Sequence, residues 1–238
     1  MQELLQPMPT APTSKLTTEA IVDAAIAVAD ADGLAALSMR RVADELGVGA
    51  MSLYRHVADK DALLAAMAAE VGRRFPYPVR EPGPWTWRER VAIAVDLDWA
   101  LYRRHPWVVV AYSAPRYSFG PESLAALDWL AAGFAELGVD ATEAVEMALS
   151  LWSFISGVAL AAVSEELLGA EAPAERSSGL ADLIDGWAPS DELPHLAALA
   201  TAVESARLTD PRATLDAGVG YLCDGFEARA RAGGTSSA

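Results

Sequence analysis

The chain holds a single cysteine, Cys223, so no disulfide within it can brace the fold. That thiol reads as a small buried residue on a C-terminal helix; the alternative is a reactive or metal-binding thiol. Histidine is scarce as well. His56, His105 and His195 lie far apart, and no nucleophile–base pair, metal-ligand cluster or phosphate-binding loop can be read from the chain. His105, just before Pro106, reads as a helix-end residue rather than a metal ligand. We therefore expect no metal, no cofactor and no enzymatic activity. Alternating apolar and polar runs, the mark of half-buried strands, are missing too, while alanine abounds. An all-α fold is expected. The N-terminus has neither a basic start nor an apolar stretch of the kind that opens a secretory signal, so the expected compartment is cytoplasmic.

Positive charge is also short. Lys and Arg number 18 against 33 Asp and Glu, for a formal charge of -15. The deficit is uneven. Residues 1–80 hold 8 basic and 10 acidic side chains, whereas residues 81–238 hold 10 and 23. The first third is the part least repelled by a polyanion. Residues 147–164 lack charge altogether, over 18 residues, which is long enough to test against a bilayer span. Ser150, Ser153, Ser156, Gly157 and Ser164 interrupt that run, and acidic residues flank it at Glu143, Glu146, Glu165 and Glu166. A spanning helix normally carries Lys or Arg at one end. The expectation is a buried helix at a core or dimer seam, and no membrane partner.

What is present divides into helices. Thr17 and Thr18 offer caps for a first helix, with Ile21, Ala25, Val28 and Asp32 along one face and Gly33 as its stop. Ser38 caps a short second helix in which Val42 and Leu46 point inward. Gly47-Val48-Gly49 forms a turn, residues 50–57 a third helix, and Asp59 caps a fourth. Pro76, Pro78, Pro82 and Pro84 then stop any helix and mark the expected boundary between modules. Beyond them come a strong helix ending at Pro106, a short one after it, a helix opening at Gly120-Pro121, and the long uncharged helix. Residues 169–180 read as a mobile loop, 180–187 and 191–206 as helices, and Asp210-Pro211 as the start of the last helix.

Two short helices joined by a glycine turn, behind a longer one, make a helix-turn-helix. With Leu53 and Val57 buried, about 100° per residue turns Arg55 outward, flanked by Met51 and Ser52, with Tyr54 and His56 on the shoulders. Such a helix fits the DNA major groove. Arg55 suits guanine O6 and N7, Ser52 donates or accepts, and Met51 can touch a thymine methyl. Tyr54 and His56 suit phosphate oxygens, and Lys60 sits in the first turn of the next helix. Arg40 can reach a base or phosphate, and Thr17 and Thr18 can bring the first helix's N-terminus to the backbone. The alternative is a solvated face with no partner, with Tyr54 partly packed.

Residues 16–64, "LTTEAIVDAAIAVADADGLAALSMRRVADELGVGAMSLYRHVADKDALL", resemble the DNA-binding domain of the TetR (tetracycline-repressor-like) family of transcriptional regulators. The resemblance implies that Tyr54, His56 and Lys60 bind phosphates and that residues 50–55 with Arg40 read bases. "WRERV", "RRHPWVV", "GPESLAALDWLAAGFAELG" and "LDAGVGYLCDGFEARA" are similar to the tetracycline-repressor-type C-terminal domain. This implies an all-α homodimer with a ligand pocket in each C-terminal domain. Gly49, Ala50 and Met51 depart from the polar residues or proline common there, so operator reading would lean on methyl contacts and DNA shape.

On this reading the chain comprises a flexible tail (1–14), a helix-turn-helix domain (15–75), a ligand-binding and dimerisation domain (85–231) and a disordered tail (232–238). It is expected to be a repressor that binds a palindromic double-stranded operator as a homodimer and is released by a small hydrophobic or aromatic effector. The alternative is a small-molecule carrier or enzyme with an incidental helix-turn-helix. For the seam, Ser150, Ser153, Gly157, Ala161 and Ser164 form a small-residue stripe, joined by Gly218, Leu222 and Gly225 of the last helix; the alternative is packing within one subunit. For the effector, the candidates are Asp98, Trp99, Tyr102, Trp152 and Ser156. Asp98 shares a helix face with Val91, Val95 and Tyr102, and the alternative is an aromatic core in which Asp98 pairs with an Arg or a backbone N–H.

Overall fold

A computed structural model describes residues 16–81, 83–167, 195 and 210–234. The expected tails before residue 16 and after 234, the loop at 169–180 and the helices at 180–187 and 191–206 lie outside them, His195 apart. Among the described residues there are ten helices and no strand. Contacts divide the chain into two units between Met67 and Ala68, so the proline-rich stretch belongs to the second.

The first unit contains α1 (Thr18–Ala36), α2 (Met39–Glu45), α3 (Ala50–Leu53) and the start of α4 (Lys60–Arg74). Side-chain caps set these boundaries. Thr17 Oγ1 accepts from the Ala20 N–H at 3.1 Å, Ser38 Oγ from Arg41 at 3.1 Å, and Asp59 Oδ1 from Ala62 at 2.8 Å. Gly33 breaks the regular path of α1 with a φ of 76°, although helical turns resume to Ala36. After α2, Gly47 takes a φ of 66°. The Val48 N–H then reaches Ala43 O and the Gly47 N–H reaches Asp44 O, the paired bonds of a Schellman stop. α3 is shorter than the expected 50–57. Helical backbone nevertheless continues as a turn, since the Val57 N–H still donates to Leu53 O at 2.9 Å. Ile21, Ala25, Val28, Val42, Leu53 and Val57 are buried together with Leu63 and Met67; Leu46 and Leu64 are only half-buried.

The second unit contains the rest of α4, then α5 (Trp87–Arg104), α6 (Trp107–Tyr112), α7 (Pro115–Ser118), α8 (Pro121–Ala135), α9 (Ala141–Leu167) and α10 (Pro211–Gly234). A capping box opens α5: the Thr86 N–H donates to Glu89 Oε2, and Glu89 N–H to Thr86 Oγ1. His105 closes α5, as expected of it, and is buried between the rings of Phe75 and Trp107. α9 is the central post, packed against α5, α6, α8 and α10. Its 141–164 stretch, with mean hydropathy 1.8, is the one described span long and apolar enough to cross a bilayer. Met147, Leu151, Ile155, Ala159 and Val163 instead form a buried stripe at helical spacing, so the run serves a protein core. Cys223 is buried on α10, and that helix continues three residues beyond the expected end at Arg231.

Candidate functional site

The first unit exposes polar side chains on and around α3. Leu53 and Val57 anchor α3 and its following turn inward, which sends the intervening side chains out. Arg55 and His56 are exposed, Met51 is 77% exposed and Tyr54 46%; Ser52 is half-buried. Lys60, at the first position of α4, is exposed, as are Arg40, Thr17 and Thr18. Thr17 already spends its hydroxyl on the α1 cap. Neighbouring arginines are used differently. Arg41 is pinned by Asp32 at 3.1 Å and Glu45 at 2.8 Å, whereas Arg40 makes no hydrogen bond or ion pair among the described residues. The side chains of Arg55, His56 and Lys60 likewise make none, although the His56 backbone N–H donates to Leu53 O at 2.8 Å. These four exposed side chains are thus left without a partner among the described residues.

The second unit holds a partly open cavity of about 840 Å³. Asp98, Tyr102, Trp152 and Ser156 all line it, brought together from α5 and α9. Trp99 does not: one residue on from Asp98, it is turned about 100° around the helix, away from the cavity. Asp98 pairs with neither an Arg nor a backbone N–H. Its Oδ2 accepts from the Tyr77 hydroxyl at 3.0 Å, and that hydroxyl accepts from Trp152 Nε1 at 3.0 Å. Tyr77 packs edge-on to both Trp152 and Trp129. Asp98 is half-buried and lines the cavity. Burial pushes its carboxyl up to about 7, and the Tyr77 bond offsets this only in part. Burial, with the Asp98 charge beside it, also raises the Tyr77, Tyr102 and Tyr112 hydroxyls.

Tyr77 was missed from sequence because it sits in the proline-rich stretch read as a linker. Tyr112 and Phe119, two more aromatic walls, were missed as well. The one available signal was an aromatic residue between two prolines, which fix the chain locally and leave that side chain little freedom to wander.

On the expected seam, Ser150, Ser153, Gly157 and Ala161 are exposed and Ser164 is half-buried. The hydroxyls of Ser153 and Ser164 donate to Leu149 O and Ala161 O of their own helix, leaving a smooth surface. Gly218 differs from the expectation. A Cβ there would come 2.1 Å from the Phe154 ring, so this glycine permits packing within the subunit. Leu222 is half-buried, and Gly225 is exposed with open space around it.

Two family matches cover nearly all of this architecture. Residues 21–67 match "Bacterial regulatory proteins, tetR family", and residues 78–230 match "Tetracyclin repressor-like, C-terminal domain". The chain belongs to the TetR family. Among relatives of this TetR-family chain is the HTH-type transcriptional repressor DrrR1 of Streptomyces coeruleorubidus, 35% identical over 171 residues, or 72% of this chain and 60% of the relative. An HTH-type transcriptional regulator of Saccharopolyspora erythraea is 34% identical over 143 residues, 60% of this chain and 59% of that one. The chain thus spans about 60% of the length of these curated relatives. The apo crystal structure of ActR from Streptomyces coelicolor superposes with a TM-score of 0.74 at 27% identity, covering 94% of this chain and 100% of that one. ActR in complex with actinorhodin gives a TM-score of 0.72 at 28% identity, covering 91% and 99%.

Proposed function

We propose that this chain is a ligand-responsive transcriptional regulator, a repressor that binds a palindromic DNA operator as a homodimer and is released by a small molecule. The observation that carries the reading is the uncommitted set Arg40, Arg55, His56 and Lys60 around an α3 locked by Leu53 and Val57. In this reading Arg55 reads a base, Ser52 and Met51 add a polar and a methyl contact, and Tyr54, His56, Lys60, Thr17 and Thr18 meet phosphates. DrrR1 and the Saccharopolyspora regulator, both described as acting in transcription, support it.

Two heads are needed to read two half-sites one DNA turn, about 34 Å, apart. The exposed small residues of α9, together with Gly225 and the 77% exposed Tyr221 of α10, are the seam we propose; the two helices pack against each other. The cavity is the effector site; the actinorhodin complex of ActR supports a small-molecule ligand. α4 begins with Lys60, and its last turn carries Gly72 and Arg73, which line the cavity. A ligand that binds one setting of α4 better than another shifts the population of DNA-competent dimers by that difference in affinity.

The test is selection of bound fragments from a random duplex library by the purified chain, followed by anisotropy titration at several salt concentrations. One enriched palindrome, with affinity falling as salt rises, is expected. A carrier or enzyme would enrich no sequence, and that result would sink the regulator reading.

A further inference from the structure

We propose that the cavity of the second unit selects a cationic ligand, an amine carried on an aromatic body, with Asp98 as its counter-ion. The proposal rests on the cavity being the effector site. It is carried by a mismatch inside that cavity. A carboxylate removed from bulk water normally sits beside a cation or within several hydrogen bonds. Asp98 has neither: Tyr77 is its one hydrogen-bond partner among the described residues, and no Arg, Lys or His pairs with it there.

The groups facing Asp98 are Tyr77 from the loop after α4, Tyr102 from α5 itself, Tyr112 from α6 and Trp152 from α9. None is charged at neutral pH. Charged lining groups elsewhere are Arg73 and Glu122, 3.7 Å apart, and Arg80 and Glu81 on the loop. None of these offsets the buried carboxylate, whose upward shift has desolvation as its cause. The surroundings suit an organic cation in a second way. The faces of Tyr77, Tyr102 and Trp152 attract positive charge through their ring quadrupoles. The Trp152–Tyr77–Asp98 chain fixes Oδ2 and leaves Oδ1 without a hydrogen bond among the described residues. A protonated amine supplies the donor and the charge together.

A matched pair of probes tests this: 9-(aminomethyl)anthracene and 9-(hydroxymethyl)anthracene, titrated by tryptophan fluorescence against the full chain. Both donate a hydrogen bond and only the first is a cation. The expected result is about tenfold tighter binding of the amine near pH 8, a gap that narrows toward about pH 5.5 as Asp98 takes up a proton. Asp98→Asn should abolish the preference; if that variant does not fold, the pH profile of the parent chain carries the test. Equal affinities, a preference unchanged at low pH or surviving Asp98→Asn, or no binding of the amine at millimolar concentration each overturns the proposal. Operator binding is measured separately, so a chain that prefers the amine yet ignores DNA sinks the regulator reading alone.

Discussion

The two units handle charge in opposite ways. In the second, Arg73, Arg74, Arg88, Arg212, Arg229 and Arg231 are engaged in ion pairs, Arg90 is held by the Trp129 carbonyl and ring, and the acid Asp98 lines the cavity with no basic side chain paired to it among the described residues. In the first, Arg41 is paired while Arg40, Arg55 and Lys60 are not. Among the described residues, the basic side chains around α3 are thus left without ion pairs, whereas most arginines of the second unit are paired and its cavity holds an acid that is not. The net charge of -15 does not defeat the first arrangement, because salt screens charges beyond about 8 Å.

The largest expected effect asks whether the units also differ in stability. Trp107→Ala removes a side chain that is 1% exposed and should destabilise the second unit by about 3–5 kcal/mol. Calorimetry checks it: a split melt, with the first unit's transition unmoved, would show that the division at Met67 is energetic as well as geometric.

The next prediction breaks or sharpens the contrast at Asp98. Its carboxyl is raised from the ordinary range to about 7, so the charged form is disfavoured in the folded protein. Stability from this group is present in full below about pH 4 and is lost as pH rises through about 7. Asp98→Asn should therefore gain ground on the parent chain with rising pH, by about 2–4 kcal/mol at pH 8.5 against little at pH 4. Chemical denaturation at the two pH values reads it, and a pH-independent difference would mean that Asp98 is compensated after all.

For the first unit, Arg55→Ala should weaken operator binding by about 1–3 kcal/mol per half-site, with thermal stability unchanged. Arg88→Ala, which releases Asp224 and Glu227, is the matched control and should leave operator affinity unaltered. Equal losses from both would erase the distinction between free and paired arginines. The smallest effect is Ser38→Ala, which removes the α2 cap for about 1 kcal/mol, read as a lower melting temperature of the first unit.

How far the sequence could be read follows this same division. The first unit was legible down to its turn. Ser38, Gly47 and the Leu53/Val57 pair act within a few residues, and a cap, a positive φ or a one-turn spacing is a local matter. The error at α3, four residues of regular helix instead of eight, is an end effect, because the turn to Val57 keeps helical bonding. In the second unit, helical spacing put Asp98 and Tyr102 on one inward face; of the other candidates named with them, Trp152 and Ser156 line the cavity and Trp99 does not, while Gly218, expected at the seam, lies against Phe154 of its own subunit.

The order of helices, the caps that open them and the outward pointing of Arg55 were set by the sequence alone, since each depends on interactions within a turn or two of helix. The fate of Asp98 was decided only in three dimensions. Its partner Tyr77 lies 21 residues away, and Tyr77's own partner Trp152 another 75. Whether a carboxylate is costly depends on what closes over it from other elements, and no spacing along the chain encodes the removal of water.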